Sequence, residues 1–335
     1  MGSKAYPKPL QSKLQELLDR RRTNSTLRNL TLPLLNQTDF SSNDFLSLST
    51  SPQLKLAYLQ ELQRIDLPLG SGGSRLLDGN STYAEQLEQE IASFHGAAAG
   101  LLFNSGFDAN AGFFASVPQP GDVIVYDELV HASVHDGMRL SRAEKTIAFE
   151  HNSVSALEKT LLGLLSEEDG VRSESVNIFV ALESIYSMDG DVCPLKEMVE
   201  IVEEVLGHER GYIIVDEAHS TGVLGPKGRG LVCELGLEKR VFARLHTFGK
   251  AVAANGGKAA SSFRSSTYTK QIHSNHSRLR HLASLPHQLR PSTHLHNIPV
   301  LSVAGAYPLF VPNTSVWAEC ETTSPSTTSH PASLC

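Results

Sequence analysis

The sequence predicts an α/β protein built on an open, mainly parallel β-sheet with helices on both faces. Short apolar runs at Asp122–Tyr126, Asn177–Leu182 and Tyr212–Val215 are continuous rather than alternating, the pattern of strands covered on both sides. They alternate with helical stretches near Val154–Leu165 and Leu195–Leu206, the order that builds a sheet through helical crossovers. A chain of 335 residues, 40% hydrophobic and 19% charged, can fill a sizeable core, which excludes wholesale disorder and small stapled modules.

Each element has a local reason. Leu10, Leu14, Leu17 and Leu18 fall at i, i+4, i+7 and i+8, so the first segment reads as an amphipathic helix. It closes on Arg20, Arg21 and Arg22, cations that suit a helix C-terminus. The pattern is helical again from Leu46 to Ile65, until the glycine-rich stretch Leu67–Ser74 breaks it. Thr82 and Glu85 have capping-box spacing, and Tyr83, Leu87, Ile91 and Phe94 mark the buried stripe of the helix that follows. Val241–Phe248 reads as a further strand. Ligands of such sheets sit beyond the carboxyl ends of the strands, so the residues after each run are the ones to inspect. The expected divisions are an N-terminal helical segment (1–60), a main α/β domain (61–257) and a tail (258–335) of different character.

A net charge of −7 argues against nucleic acid as the main partner, because phosphate binding needs a basic surface. Cys193, Cys233, Cys320 and Cys335 form no CxxC pair, so neither a zinc site nor a disulfide framework is expected. No apolar run approaches a spanning helix, the start lacks a signal-peptide core, and Tyr6 stands where a myristoylation motif needs Ser or Thr. The expectation is a cytoplasmic chain with no membrane and no metal. A peroxisomal address is the alternative, although the terminal Ala-Ser-Leu-Cys departs from the SKL form.

Asp216-Glu217-Ala218-His219 follows an apolar run and admits two readings. A helicase-type NTPase would need an upstream GxxxxGK[ST] loop to cradle phosphates. The chain has none; Gly249-Lys250 lies downstream and is followed by Ala251. The second reading joins Asp216, His219 and Lys250 in a pyridoxal 5'-phosphate (PLP) site. Here seven ordered strings become specific: SSNDFLSL (41–48), GSGGSRLLDG (70–79), FNSGFDAN (103–110), DELVHASVHDG (127–137), SMDGD (187–191), VDEAHSTGVLGPKGRG (215–230) and HTFGKA (246–251). From about Leu10 to Gly257 the chain resembles the α-oxoamine synthases, class-II aminotransferase-like PLP enzymes, and among them the branch of biotin precursor synthesis. The resemblance implies the large domain of the PLP-dependent transferase fold type I over residues 61–257.

It also implies the site. Lys250 is to bond the cofactor's aldehyde, which requires a partly neutral amine. Asp216 is to pair with the pyridinium nitrogen and keep the ring an electron acceptor. His219 is to hydrogen-bond the phenolic oxygen, His131 to lie over the ring face, and Ser187 to touch the cofactor. Thr247 and the backbone of Ser105-Gly106-Phe107 are to hold the phosphate at a helix start; Ser105-Gly106 also reads as a plain strand-to-helix turn. Arg28 and Asn43 are to stand near the substrate, with Arg28 equally readable as a solvated charge. The Gly70–Ser74 loop would join a substrate channel contributed across a homodimer, and His135 has no assigned role. The implied reaction is a decarboxylating condensation of an amino acid, L-alanine in the biotin-type branch, with an acyl-CoA such as pimeloyl-CoA. Glycine or serine acyl transfer, secondary metabolism and an inactive PLP-binding remnant are the alternatives.

The resemblance stops after AVAANGG (251–257). Residues 258–335 hold seven of the 14 His and six Lys or Arg but only Glu319 and Glu321 as acids, a formal +4 against −11 for the rest. Rich in Ser, Thr, Pro and His without helical or strand period, this tail is expected to lack a packed core. The break reads as translation out of frame or through an unspliced intron. Sequencing the mature transcript across the codons for Asn255 to Ser265 should find a frame that resumes the family pattern; a transcript encoding the present tail would refute this.

Overall fold

The structure, a computed structural model, describes residues 8–32, 37–66, 68, 70–166, 176–207 and 209–261. Two units divide at Ser42. The first carries α1 (Lys8–Thr23), whose Leu10, Leu14, Leu17 and Leu18 keep the expected spacing yet remain 44–52% exposed. The second starts at Asn43 and includes the helix that follows. That helix, α2 (Pro52–Arg64), starts later than the pattern indicated, because Ser51 caps it through Leu54 N and Pro52 fills the first turn. Leu48–Thr50 before it forms one turn of 3₁₀-helix.

α3 (Thr82–Phe94) keeps the expected stripe, with Tyr83, Leu87 and Ile91 buried. Its cap is one residue earlier than the Thr82–Glu85 spacing indicated: Ser81 Oγ accepts from Ala84 N. There follow β1 (Ala99–Phe103), α4 (Gly106–Ser116), β2 (Val123–Asp127), α5 (Ala132–Arg139), β3 (Lys145–Phe149), α6 (Val154–Ser166), β4 (Ile178–Glu183), α7 (Leu195–Leu206), β5 (Gly211–Asp216), α8 (Leu231–Glu234), β6 (Ala243–Thr247) and β7 (Gly257–Ser261).

The seven strands form one sheet in the order β1-β7-β6-β5-β4-β2-β3. β7 runs antiparallel to both β1 and β6, and the other pairings are parallel. β7 spans the expected boundary at Gly257, and residues 258–261 take part in the sheet; the tail beyond them lies outside the described residues. The alternating side chains of each central strand serve two cores. Val123, Val125, Ile178, Val180, Leu182, Ile213 and Val215 pack with α6 and α7. Ile124, Phe179, Ala181, Ile214 and Leu245 pack with α4 and Val134 of α5. This two-sided burial is why the runs are continuously apolar. β3, at the edge, has the exposure pattern of a half-covered strand and no such run.

No helix among the described residues is long and apolar enough to cross a membrane. The core makes a direct test possible. Leu161 is 0% and Leu162 50% exposed on consecutive positions of α6. In urea unfolding, Leu161→Ala should cost about 2–5 kcal/mol, and Leu162→Ala should stay within about 0.5 kcal/mol of the parent chain.

Candidate active site

The parallel strands deliver their carboxyl ends to one edge of the sheet, and the polar side chains collect there. β5 ends in Asp216, 7% exposed. Its Oδ2 accepts from Asn110 Nδ2 of α4 at 2.6 Å and its Oδ1 from Ala218 N at 2.8 Å. One turn on, His219 Nε2 lies 2.7 Å from Lys250 Nζ, which follows β6. The chain thus brings together the three residues on which the sequence reading turned. Phe45, two residues after the exposed Asn43, approaches the His219 ring with centroids 6.1 Å apart.

Their electrostatics follow from burial. Desolvation lowers the Lys250 amine below its ordinary value, while Asp216 and Glu183 pull the other way. Desolvation, with the positive charge of Lys250, holds His219 down to about 4 against the pull of Asp216. His219 is therefore neutral near pH 7, and Nε2 can accept from the lysine.

His131 N-caps α5: its Nδ1 accepts from Ser133 N at 3.2 Å and lies 2.7 Å from Ser133 Oγ. With Nδ1 an acceptor, the neutral ring carries its proton on Nε2. The backbone N–H of His131 donates to Glu183 Oε1 at 2.5 Å, and the Phe107 ring stands edge-on to the imidazole at 6.1 Å. Glu183 pairs in register with Asp216 across β4 and β5. Burial and the Asp216 charge push Glu183 up to about 8, against the His131 N–H and Lys250.

Ser105 caps α4 by accepting from Asp108 N at 3.0 Å, so the Gly106 and Phe107 N–H groups are the first-turn donors ahead of that cap. The β6 and β7 ends press against this turn. A methyl group at Gly106 would lie 2.8 Å from Thr247 Cβ, and one at Gly257 would lie 2.5 Å from the Gly106 nitrogen. Both positions need glycine for close approach rather than for unusual backbone angles. Thr247 Oγ1 sits beside the same turn, with contacts of 3.5 Å to Gly256 O and Gly249 N.

Ser105, Gly106, Phe107, His131, Asp216, His219, Thr247 and Lys250 thus occupy one edge. Ser187 stands exposed in the turn after β4, with no hydrogen bond joining it to this group. The serine that does touch Asp216 is the buried Ser184, whose Oγ lies 3.1 Å from the Asp216 carbonyl. Arg28 is exposed in the unit that ends at Ser42. Asn110 and Glu183 went unnamed in the sequence reading. Asn110 closes the quoted FNSGFDAN string, and Glu183 is the acid ending an apolar run, so both carried a signal. His135 packs edge-on against Tyr126 at 5.3 Å, a structural contact.

An unfolded His219 would titrate near 6.5 and the folded one at about 4. The unfolded state binds more protons in that interval, so this histidine's share of stability is complete above about pH 6.5 and is lost as pH falls toward about 4. Histidine ¹⁵N NMR at about pH 5.5 should find His219 neutral where an ordinary imidazole is mostly protonated; an imidazolium signal there would contradict the burial argument.

The family model described as aminotransferase class I and II matches residues 36–285, past the Gly257 at which the motifs stop. The chain is 56% identical over 252 residues to 8-amino-7-oxononanoate synthase of Emericella nidulans, covering 75% of this chain and 61% of that protein. It is 50% identical over 219 residues to aminoacyl transferase sphA of Byssochlamys spectabilis, covering 65% and 47%. Both relatives are thus spanned over less than two thirds of their length. Among solved structures, serine palmitoyltransferase from S. paucimobilis with bound PLP and myriocin superposes with a TM-score of 0.68 at 27% identity, over 90% of this chain and 72% of that one. An 8-amino-7-oxononanoate synthase from Francisella tularensis gives 0.56 at 25% identity, over 82% and 70%. The seven-stranded sheet with one reversed strand is accordingly that of the PLP-dependent transferase fold. Matched by its model over most of its length, the chain belongs to the aminotransferase class I and II family.

Proposed function

We propose that the chain forms the cofactor-binding part of a PLP-dependent α-oxoamine synthase, an acyltransferase that joins an amino acid to an acyl-CoA with release of CO₂ and CoA. The contact of Lys250 Nζ with His219 Nε2 beside the buried Asp216 carries this reading.

The residues fit PLP by their chemistry. The open N–H groups at the start of α4 (Ser105, Gly106, Phe107) and the Thr247 hydroxyl would hold the phosphate, since a helix N-terminus favours an anion. Asp216, braced by Asn110, would face the protonated ring nitrogen. His219 would meet the phenolic oxygen and His131 one face of the ring, and Ser187 is carried as a further contact. When bound, PLP supplies an electron sink for the charge left at the substrate's α-carbon. The protein's share is to place and move protons. Burial keeps part of the Lys250 amine neutral, so Nζ can take the α-proton and later return it. A neutral His219 adds no second positive charge beside that amine. The fixed, buried Asp216 carboxylate answers positive charge where it counts for more than in solvent.

Arg28 and Asn43 are proposed to meet the substrate, and the active form to be a homodimer. L-Alanine with pimeloyl-CoA is the favoured pair, supported by the 56% identity to the oxononanoate synthase. The likeness to sphA and to serine palmitoyltransferase supports assaying serine or glycine with other thioesters beside it.

Incubating the full chain with PLP, reducing with borohydride and mapping peptides should label Lys250, and Lys250→Ala should remove the label. Label elsewhere, or none, would refute the cofactor site. Asp216→Asn should keep the label but lower turnover of alanine and pimeloyl-CoA about 10³-fold; unaltered turnover would refute the ring-nitrogen role. Labelling without turnover of any thioester is the outcome for a PLP-binding remnant.

A further inference from the structure

A second polar cluster, half-buried, stands at the same edge of the sheet. β2 ends in Asp127, fully buried, and β3 is followed by His151 and Asn152. β4 is followed by a hairpin closed by the Ile185–Val192 bridge and by Tyr186 N donating to Asp191 O at 3.0 Å. His151 spans all three places. Its Nδ1 lies 2.8 Å from Asp127 Oδ1 and its Nε2 2.7 Å from Asp191 Oδ2. Asn152 doubles the link, with its backbone N on Asp127 Oδ2 at 2.8 Å and Nδ2 on Asp191 Oδ2 at 2.5 Å. Tyr186 packs edge-on to the imidazole at 4.4 Å, and the His151 backbone N donates to Glu128 at 3.2 Å.

A carboxylate only accepts, so a ring held at both nitrogens by carboxylates donates from both and is an imidazolium. Burial works against that charge, but the hydrogen bonds His151 donates to Asp127 and Asp191, with the charges of both, outweigh it and raise His151 above its ordinary value.

The cluster reaches the candidate active site through the backbone. Asp127 Oδ1 also accepts from Leu129 N at 2.9 Å, and the Asp127 carbonyl accepts from Val130 N at 3.1 Å. The loop that ends in His131 therefore hangs from the carboxylate that holds His151. On its other side, His131 N is held by Glu183, the residue from which the 185–192 hairpin departs.

We infer that His151 is a positioning residue: as a charged strut between Asp127 and Asp191, it ties the 185–192 hairpin to the loop carrying His131 and so fixes the imidazole over the PLP ring. The inference rests on the PLP reading proposed above. It assigns His151 no proton transfer with substrate.

Two measurements on the full chain test it. In ¹⁵N-labelled protein without PLP, the His151 signal, assigned by its loss in His151→Gln, should show both ring nitrogens protonated at about pH 7.5, a unit above an ordinary histidine. A neutral ring would overturn the strut. PLP affinity and the visible circular dichroism of the bound cofactor should then be compared among the parent chain, His151→Gln and Asp191→Asn. Both variants should weaken PLP about tenfold or more, the scale of a lost charge-assisted hydrogen bond, and reduce the induced dichroism, with the far-ultraviolet spectrum kept. Unchanged affinity and dichroism in a folded variant would overturn the inference alone. If His151→Gln fails to fold, Asp191→Asn decides, because that side chain is 36% exposed. A parent chain that does not bind PLP would overturn the underlying reading and the inferred role with it.

Discussion

Parallel pairing of the central strands is the constraint from which the other features follow. It requires helical crossovers, which cover both faces and make every residue of β4 buried. It also brings the carboxyl ends of β2, β4, β5 and β6 to one edge. In-register pairing sets Glu183 beside Asp216, two carboxylates that the chain separates by a whole crossover helix. The single reversed strand, β7, inserts between β1 and β6 and presses its first glycine on the start of α4.

That edge gathers like and unlike charges away from water, so their ionisation becomes a shared property. Desolvation acts on each group in the direction that removes charge: the Lys250 amine and His219 go down, and Glu183 goes up. The Asp216 charge opposes the first two shifts and reinforces the third. The outcome at neutral pH is a site with a neutral imidazole beside a weakened ammonium, a combination suited to proton handling. In the neighbouring cluster, two carboxylates hold a cationic His151 against the same desolvation. Two histidines at one sheet edge thus reach opposite charge states, one facing an amine and the other two acids.

Placement of the polar side chains at this edge depends on contacts made by residues outside the proposed chemistry. Gly106 and Gly257 let backbones approach where a methyl group would collide. Asn110 fixes one Asp216 oxygen from α4, so the helix that offers its N-terminus also orients the carboxylate. Such coupling fixes the relative positions of the α4 N-terminus and the Asp216 carboxylate.

By itself the sequence determined the sheet, most of its central strands and the ordered motifs with Asp216, His219, Lys250 and His131, because two-sided burial and reactive side chains leave a direct mark in residue type. β1, β3 and β7 were not legible, since an edge strand and a strand of small residues (GKAAS) lack the apolar run that signals burial. The true cap at Ser81 and the start of α2 at Pro52 were displaced by a few residues because several side chains could serve as caps and only the folded backbone chooses. Glu183 and Asn110 were present in the strings, yet their partnership with His131 and Asp216 depends on strand register and helix docking, which bring together residues distant in the chain. The same holds for His151, whose charge follows from two carboxylates, one ending β2 and the other in the hairpin after β4: pairing over long separations is a property of tertiary structure, and no local pattern encodes it.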